Sequence, residues 1–353
     1  MQYENMDSMK KEKNNSSIDT PYELPAELYS MSKEELLDYI ETQYGKYLGK
    51  IFQDQWRILN IEEMNYELES EHAKSLALLF EIESQKLAMR ELNNKLTESA
   101  EIQKKDLVMA AQVQRNLLFK EPPPVKDYDI SFYYEPYASV SGDFYDFYPN
   151  SEDNSLSGLV LADVSGHGIS SSLFTVLSKP IFFRMFHKYS HETLDKILER
   201  INKQIIKEVY DSGNYITCIL LRILNEKIEY INGAHPDILI KRSSKNSVQW
   251  GFNDGKDLQG TMLGISEVQL YGEPVSIVLD SGDFLIAYTD CLIESRNSKD
   301  ELFSDEDLKA VVQSLSVDLN ANEVCEAIVG SLKKHMESTP LNDDLSVIVI
   351  KKY

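Results

Sequence analysis

Leu159-Val-Leu-Ala-Asp163-Val-Ser-Gly-His-Gly168 is an apolar run that ends in an acid and a turn opened by two glycines. The four apolar residues read as a buried strand, and the glycines leave the turn sterically open. Residues Ile169 to Lys179 then read as a helix entered through Ser170, Ser171 and Ser172. An acid at such a strand end can offer its carboxylate to two cations at once, while the carbonyl of Val164 supplies a further oxygen. Taken alone, a strand-end aspartate is more often a turn former or a helix cap.

The setting recurs. Asp143 follows Ser141-Gly142 and begins an alternating aromatic strand, Asp290 ends the run Phe-Leu-Ile-Ala-Tyr-Thr, and Asp343, with Asp344 beside it, opens the last apolar run of the chain. Strand ends distant in sequence can converge in space, and four carboxylates meeting at one rim repel unless divalent cations lie between them. Oxygen-only donors select a hard ion, so two Mn²⁺ or Mg²⁺ ions are expected rather than zinc. A metal pair can orient a water for in-line attack on phosphorus, which points to a metal-dependent hydrolase. No glycine-rich P-loop with its lysine is present, which counts against a kinase or ATPase.

Around these acids the texture is β-rich. Residues 128–135, 144–148, 156–164, 215–224, 227–231, 238–241, 275–279, 284–289 and 345–351 read as strands, interrupted by helical patterns at about 169–189, 191–210, 305–316 and 321–337. Strand clusters separated by helix pairs predict an α+β fold, an antiparallel β-sandwich flanked by helices, rather than repeating βαβ units. Upstream the chain is different. From Lys50 to Glu121 there is neither Gly nor Pro, and Pro122-Pro123-Pro124 then stops the helical pattern. A seven-residue frame places Ile61, Met64, Leu68, Leu78, Ile82, Met89, Leu92 and Leu96 at a and d, although Glu71, Ser75, Gln85 and Ser99 share it. After Leu96 the phase slips by one residue, and Ala100, Leu107, Ala110 and Leu117 continue the stripe. Two readings fit: a parallel dimeric coiled coil, which is favoured because so long a helix has no evident partner within the chain, or an amphipathic helix packed on its own domain. Ser32-Lys-Glu-Glu35 is a capping-box pattern that starts an earlier helix. The expected division is a disordered tail at 1–20, a helical regulatory region at 21–121 and a catalytic domain at 122–353.

Composition narrows the classes. A formal net charge of −22 over 353 residues argues against nucleic-acid binding, and so against a two-metal nuclease. Cys218, Cys291 and Cys325 form no Cys-x-x-Cys pair and fit a reducing compartment. No apolar stretch reaches membrane-spanning length and no export signal is evident, so a cytoplasmic location is expected.

Ala110-Ala-Gln-Val-Gln-Arg-Asn-Leu-Leu118, Ser141-Gly-Asp-Phe-Tyr-Asp146, Leu161-Ala-Asp-Val-Ser-Gly-His-Gly168, Asn232-Gly-Ala-His-Pro236, Gly282-Asp-Phe-Leu-Ile-Ala-Tyr-Thr-Asp290 and Asp343-Asp-Leu-Ser346 occur in the order seen in one family. On these segments, residues from about 108 to 353 resemble the PPM-type metal-dependent serine/threonine phosphatases, in the SpoIIE-like, RsbU-like branch. The resemblance implies a β-sandwich with a two-metal site at one end. It casts Asp163 as bridging ligand, Val164 as backbone ligand, Asp290 and Asp343 as ligands of one metal, and Asp143 as the acid holding the other. Asp344 would support them. It further implies a phosphorylated regulatory protein as substrate, such as an anti-sigma-factor antagonist, and a linker through which a regulatory dimer, with an upstream regulator on it, controls catalysis. Two departures stand out: Cys291 where the family has Gly after the Thr-Asp aspartate, and Asn232-Gly-Ala-His where it has Ala-Gly-His. A side chain at 291 is costly if the backbone there needs positive φ, and a scaffold that binds partners without turnover is the alternative that Cys291 would favour. His167 and His235 are candidates for phosphate contact, though isolated histidines more often serve as structural hydrogen-bonders.

Overall fold

In the computed structural model the described residues are 26–150, 152–166, 168–209, 213–224, 226–252, 260–267 and 271–353. The expected tail at 1–20 lies outside them. The chain falls into two units, the first ending at Lys95 and the second running Leu96–Tyr353. A single helix, α1 (Lys33–Leu117), fills the Gly- and Pro-poor stretch. Its start is the capping box the sequence predicts: the Ser32 N–H donates to Glu35 at 2.8 Å, and the Glu35 N–H to Ser32 Oγ at 3.3 Å. In the first unit the apolar positions of the seven-residue frame, from Ile61 to Leu92, are exposed. Among the described residues no helix is long and apolar enough to cross a membrane.

The second unit is a sandwich of two five-stranded antiparallel sheets. One has the order β1-β10-β9-β6-β7, from β1 (Tyr128–Glu135), β10 (Leu345–Lys352), β9 (Phe284–Tyr288), β6 (Leu239–Arg242) and β7 (Ser247–Trp250). The other has the order β2-β3-β4-β5-β8, from β2 (Asp143–Pro149), β3 (Leu156–Val164), β4 (Ile216–Ile223), β5 (Ile228–Gly233) and β8 (Val275–Ile277). Helices α2 (Ile169–Lys188) and α3 (Leu194–Glu208) cover the second sheet. A short turn of helix, α4 (Cys291–Glu294), follows β9, and α5 (Asp305–Ser314) and α6 (Ala321–Met336) cover the first sheet.

Both faces of each sheet are therefore buried, which is why the strands read as near-continuous apolar runs. Alternation sorts them. In β3, Leu159 and Leu161 face the other sheet, and Val160 and Ala162 face the helices. Likewise Tyr145 and Phe147 of β2, Leu285 and Ala287 of β9, and Ile348 and Ile350 of β10 point into the sandwich. Side chains alternate with period two along a strand. The same inward columns, continued two residues toward one end of the sandwich, arrive at Asp143, Asp163, Thr289 and Ser346. The apolar interior thus ends in a polar layer.

β7 and α4 were not anticipated from sequence. Each is four residues long, too short for periodicity to register.

Gly158 shows how tightly α2 seats on β3: a Cβ there would lie 2.3 Å from the Phe186 ring and 2.6 Å from the Leu221 carbonyl oxygen. Overpacking of this kind costs about 1–3 kcal/mol. Gly158→Ala is expected to lower unfolding stability by about that amount in urea titration. An unchanged midpoint would show that the Phe186 ring moves aside without loss.

Candidate functional site

Asp143 and Asp163 lie directly opposite each other in the β2–β3 ladder. Asp143 is only 1% exposed. Its Oδ2 accepts hydrogen bonds from Thr289 Oγ1 at 2.9 Å and Ser346 Oγ at 2.6 Å, and Thr289 Oγ1 in turn accepts the Ser346 N–H at 3.0 Å. The other two inward-facing termini therefore hold this carboxyl. Its pKa is pushed well up, first by burial and then by the charges of Asp163 and Asp344, against which the two hydroxyl bonds act.

Asp163 is half-buried, and its pKa is pushed up to about 7 by burial, then by the negative charges of Asp290, Asp343 and Asp344; a hydrogen bond with Asp143 opposes the shift. Asp290 rises to about 6, through burial and the charges of Glu294 and Asp343. Asp290 directly follows Thr289, which bonds Asp143, and Asp343 directly precedes Asp344, which bonds Gly142, so these acids share one end of the sandwich. Asp344 does something different. Its Oδ1 accepts the Tyr137 N–H and its Oδ2 the Gly142 N–H, each at 2.7 Å, so it pins the loop that enters β2. The half-buried Asp343 accepts the Asp344 N–H at 2.8 Å.

That loop is packed hard against β3. A Cβ on Gly142 would lie 2.8 Å from the Val164 carbonyl oxygen and 3.1 Å from that of Gly166. The Gly142 carbonyl accepts from the Val164 N–H at 3.2 Å and from Thr175 Oγ1 of α2 at 3.0 Å. The C-terminal end of α1 reaches the same loop: the Gln114 side-chain amide donates to the Ser141 carbonyl at 2.7 Å and accepts the Ser141 N–H at 3.0 Å. On this part of α1 the buried residues are Ala111 and Gln114, whereas Ala110 and Leu117 of the predicted stripe are exposed. Gln114 stands seven residues after Leu107, so the buried face keeps the phase of Ala100 and Leu107 rather than that of Ala110 and Leu117.

Cys291 is helical rather than left-handed, so its side chain meets no positive-φ strain. It is 1% exposed, its Sγ lies 3.2 Å from the Asp343 carbonyl oxygen it can donate to, and burial pushes the thiol up to about 12. A thiol so reluctant to ionise is not a redox-reactive one. The departure at Asn232-Gly-Ala-His also has a local answer. Ala234 takes φ 60°, and the Asn232 side chain clamps the turn, accepting the His235 N–H at 2.7 Å and donating to its carbonyl at 2.8 Å. His235 is buried, with Nδ1 2.8 Å from Thr217 Oγ1 and Nε2 lacking any partner in hydrogen-bond geometry among the described residues. Burial lowers its pKa to about 3, with the Tyr288 backbone pulling weakly the other way, so the ring is neutral. His167 lies outside the described residues.

The donor set fits hard divalent ions in kind: anionic oxygens at one place, with none of the ion pairs among the described residues reaching Asp143, Asp163, Asp290, Asp343 or Asp344. The carboxyls stand hydrogen-bonded rather than gathered round a common point. Among the described residues no group of three or more His, Cys, Asp or Glu side chains is arranged to hold a metal ion. Thr289, Ser346, Gly142 and Gln114 were missed as site residues from sequence. For the first two the signal was there, in the period-two columns that also carry Asp143 and Asp163.

The family model described as Stage II sporulation protein E (SpoIIE) matches residues 153–353. Among characterised proteins, phosphoserine phosphatase RsbP of Bacillus subtilis (strain 168) is 33% identical over 139 residues, which cover 38% of this chain and 34% of RsbP. Phosphoserine phosphatase RsbU of the same organism is 25% identical over 251 residues, 70% of each chain. The chain thus spans about a third of the length of RsbP. In fold it is similar to the SiaA-PP2C domain of Pseudomonas aeruginosa, with TM-score 0.59 at 15% identity over 72% of this chain and 98% of that one.

The raised pKa values carry a sign. A carboxyl whose folded pKa exceeds its unfolded value binds its proton more tightly when folded, so stability falls as pH rises between the two values. For Asp163 that window runs from about 4 to about 7. In chelator, Asp163→Asn is expected to gain stability over the parent chain as pH rises from 5 to 8. Added Mn²⁺ or Mg²⁺ should raise the melting temperature of the parent more at pH 8 than at pH 6, because protons compete for the same oxygens. A pH-independent metal effect would contradict this reading.

Proposed function

The chain belongs to the SpoIIE family, and on that premise we propose that it is a metal-dependent phosphatase of phosphoserine or phosphothreonine in a regulatory protein. The observation that carries the reading is that Asp163, Asp143, Asp290 and Asp343 stand at one end of the sandwich, where burial and like charge raise the proton affinity of the first three. Asp143, Asp163, Asp290, Asp343 and the Val164 carbonyl would hold two divalent ions, Mn²⁺ or Mg²⁺. When bound, such ions supply Lewis acidity, making a water nucleophilic near neutral pH and offsetting charge on the phosphoryl oxygens.

The protein's own groups prepare that site. Thr289 and Ser346 fix the Asp143 carboxyl by hydrogen bonds. Asp344 holds the Gly142 loop against β3, and the absent Cβ of Gly142 leaves the Val164 carbonyl unobstructed. Cys291, the feature that would have favoured a turnover-free scaffold, sits in helical backbone without strain. The phosphatase reading is therefore preferred to the scaffold.

In the same reading, residues 21–121 form the regulatory region. The exposed stripe from Ile61 to Leu92 is an apolar seam suited to a second copy in a parallel coiled coil. An upstream regulator acting on that region would change the seam, and Gln114, bonded on both sides of Ser141, would carry the change to the loop before Asp143. An anti-sigma-factor antagonist is the proposed substrate.

Hydrolysis of an aryl phosphate with added Mn²⁺ tests the enzyme directly. The parent chain should turn over, and Asp163→Asn should lose roughly 100-fold or more in kcat. Equal background rates in both would overturn the phosphatase. For the regulatory arm, sedimentation should show a dimer that Leu68→Lys with Leu92→Lys converts to monomer. Gln114→Ala should alter kcat several-fold while the melting temperature of the second unit holds. A monomeric parent chain would remove the dimer control.

A further inference from the structure

Of the ion pairs among the described residues, Lys179–Asp146 is the one with both partners almost wholly buried, their side chains 11% and 3% exposed. Asp146 lies on β2 between Phe144 and Tyr148, on the face turned to the helices and three residues from Asp143. Lys179 belongs to α2, and its Nζ donates to Asp146 Oδ1 at 2.5 Å and to the Tyr145 carbonyl at 3.2 Å. The same ammonium stands over the Phe119 ring, 5.6 Å from its centroid. Phe119 is the second residue beyond α1, and its carbonyl accepts the Tyr145 hydroxyl at 2.7 Å. Three elements therefore meet at one charge: the chain leaving α1, the strand carrying Asp143, and the helix that begins six residues after Asp163.

Stability does not account for the pair. Taking two charges out of water can cost as much as their attraction returns, and well-packed apolar residues in their place are commonly as stable. Burial pushes the Asp146 carboxyl up and the Lys179 ammonium down, each against the pull of its partner. The lysine also has another course open to it. A groove of about 430 Å³ lies beside it, walled by Leu117, Val176, Pro180 and Phe183, of which Leu117 and Phe183 are exposed. Lysine stems usually run along such apolar walls and keep the ammonium in water. This one turns inward. What an ion pair adds over apolar contact is register: apolar surfaces slide, whereas a cation shared by acceptors on adjacent residues fits in one place.

We propose that Lys179, paired with Asp146, is a positioning residue for the metal-dependent reaction: it locks α2 and the chain leaving α1 to β2, and so sets where Asp143 stands relative to Asp163. The inference rests on the phosphatase reading above and adds to it a determinant of rate. A second tie lies one turn earlier on α2, where Thr175 Oγ1 donates to the Gly142 carbonyl at 3.0 Å. Thr175 holds the loop before Asp143 and Lys179 holds the strand after it, so Asp143 lies between two fixed points. Since α2 begins six residues after Asp163, a slide of α2 along β2 would shift one acid against the other. Because Phe119 shares the ammonium, a movement of the last turn of α1 reaches β2 by this route as well as through Gln114.

The test uses the full chain with Mn²⁺ and an aryl phosphate, beside thermal melts in chelator. Lys179→Met combined with Asp146→Leu removes both charges and leaves no buried ion unpaired. This double variant is expected to melt within a few degrees of the parent chain or above it. It should nonetheless lose about tenfold in kcat, with KM changed by less than about twofold. Its Mn²⁺ affinity, measured by titration calorimetry, should fall several-fold. Parental kcat and Mn²⁺ affinity in the folded double variant would overturn the inference while the phosphatase stands. A double variant that melts well below the parent would show that the pair serves stability, and would overturn it too. Failure of the parent chain itself to hydrolyse the aryl phosphate would overturn both readings.

Discussion

The structure depends on one awkward pairing: two carboxyl groups, Asp143 and Asp163, facing each other across neighbouring strands at the end of a dry sandwich. Two ionised carboxylates about 4 Å apart repel by about 4 kcal/mol at an effective dielectric constant of about 20. Asp290 and Asp343 add to that field. A fold selected for stability alone would place threonine or valine there. What is found is a ring of hydrogen-bond donors, Thr289, Ser346 and the Gly142 N–H through Asp344, that keeps acidic oxygens in place at a cost in proton affinity. Negative charge concentrated and held in this way suits the divalent ions proposed above.

The rest of the second unit makes that pairing possible. Because both sheets are covered by helices, the central strands β3, β4, β9 and β10 are buried on two faces, which fixes the positions of their ends. Phe186 presses on Gly158 in β3, and Thr175 of α2 bonds to the Gly142 carbonyl. Gln114 does the same work from the opposite direction, tying the last turns of α1 to Ser141. The loop before Asp143 is thus held by a helix, by Asp344 and by β3 at once, and a change in any of the three reaches the same carboxyl.

Much of this was legible in the residue order. Runs such as Leu159-Val-Leu-Ala located the strands because two-sided burial leaves no polar alternation to confuse, and the acids ending those runs pointed to the end of the sandwich that carries the proposed site. The strand columns also contained Thr289 and Ser346, but a threonine or serine near a strand end has many ordinary reasons to be there, and only register shows which carboxyl it meets. β7 was missed because Ser247-Val-Gln-Trp250 is brief and its pairing with β6 is a tertiary fact. Near its end the stripe on α1 mixed two phases, that of Ala100 and Leu107 and that of Ala110 and Leu117, and only the Ser141 backbone, 27 residues beyond Gln114, shows which of them turns inward. Cys291 looked like a backbone conflict because the neighbouring motif usually carries glycine, yet its helical φ and its contact with the Asp343 carbonyl remove the conflict. The His235 turn required coordinates for a similar reason: Asn232 closes it with its side chain, which a motif comparison does not reveal.

The central claim is that the acids at the sandwich end exist to hold divalent ions. The most direct measurement is an anomalous-difference map from crystals of the full chain grown with Mn²⁺, collected beside crystals of Asp163→Asn. Two peaks among the carboxylates of Asp143, Asp163, Asp290 and Asp343, with at least one lost in the variant, is the predicted result. A map with no peak there, or with Mn²⁺ bound only on other faces of the molecule, would contradict the account.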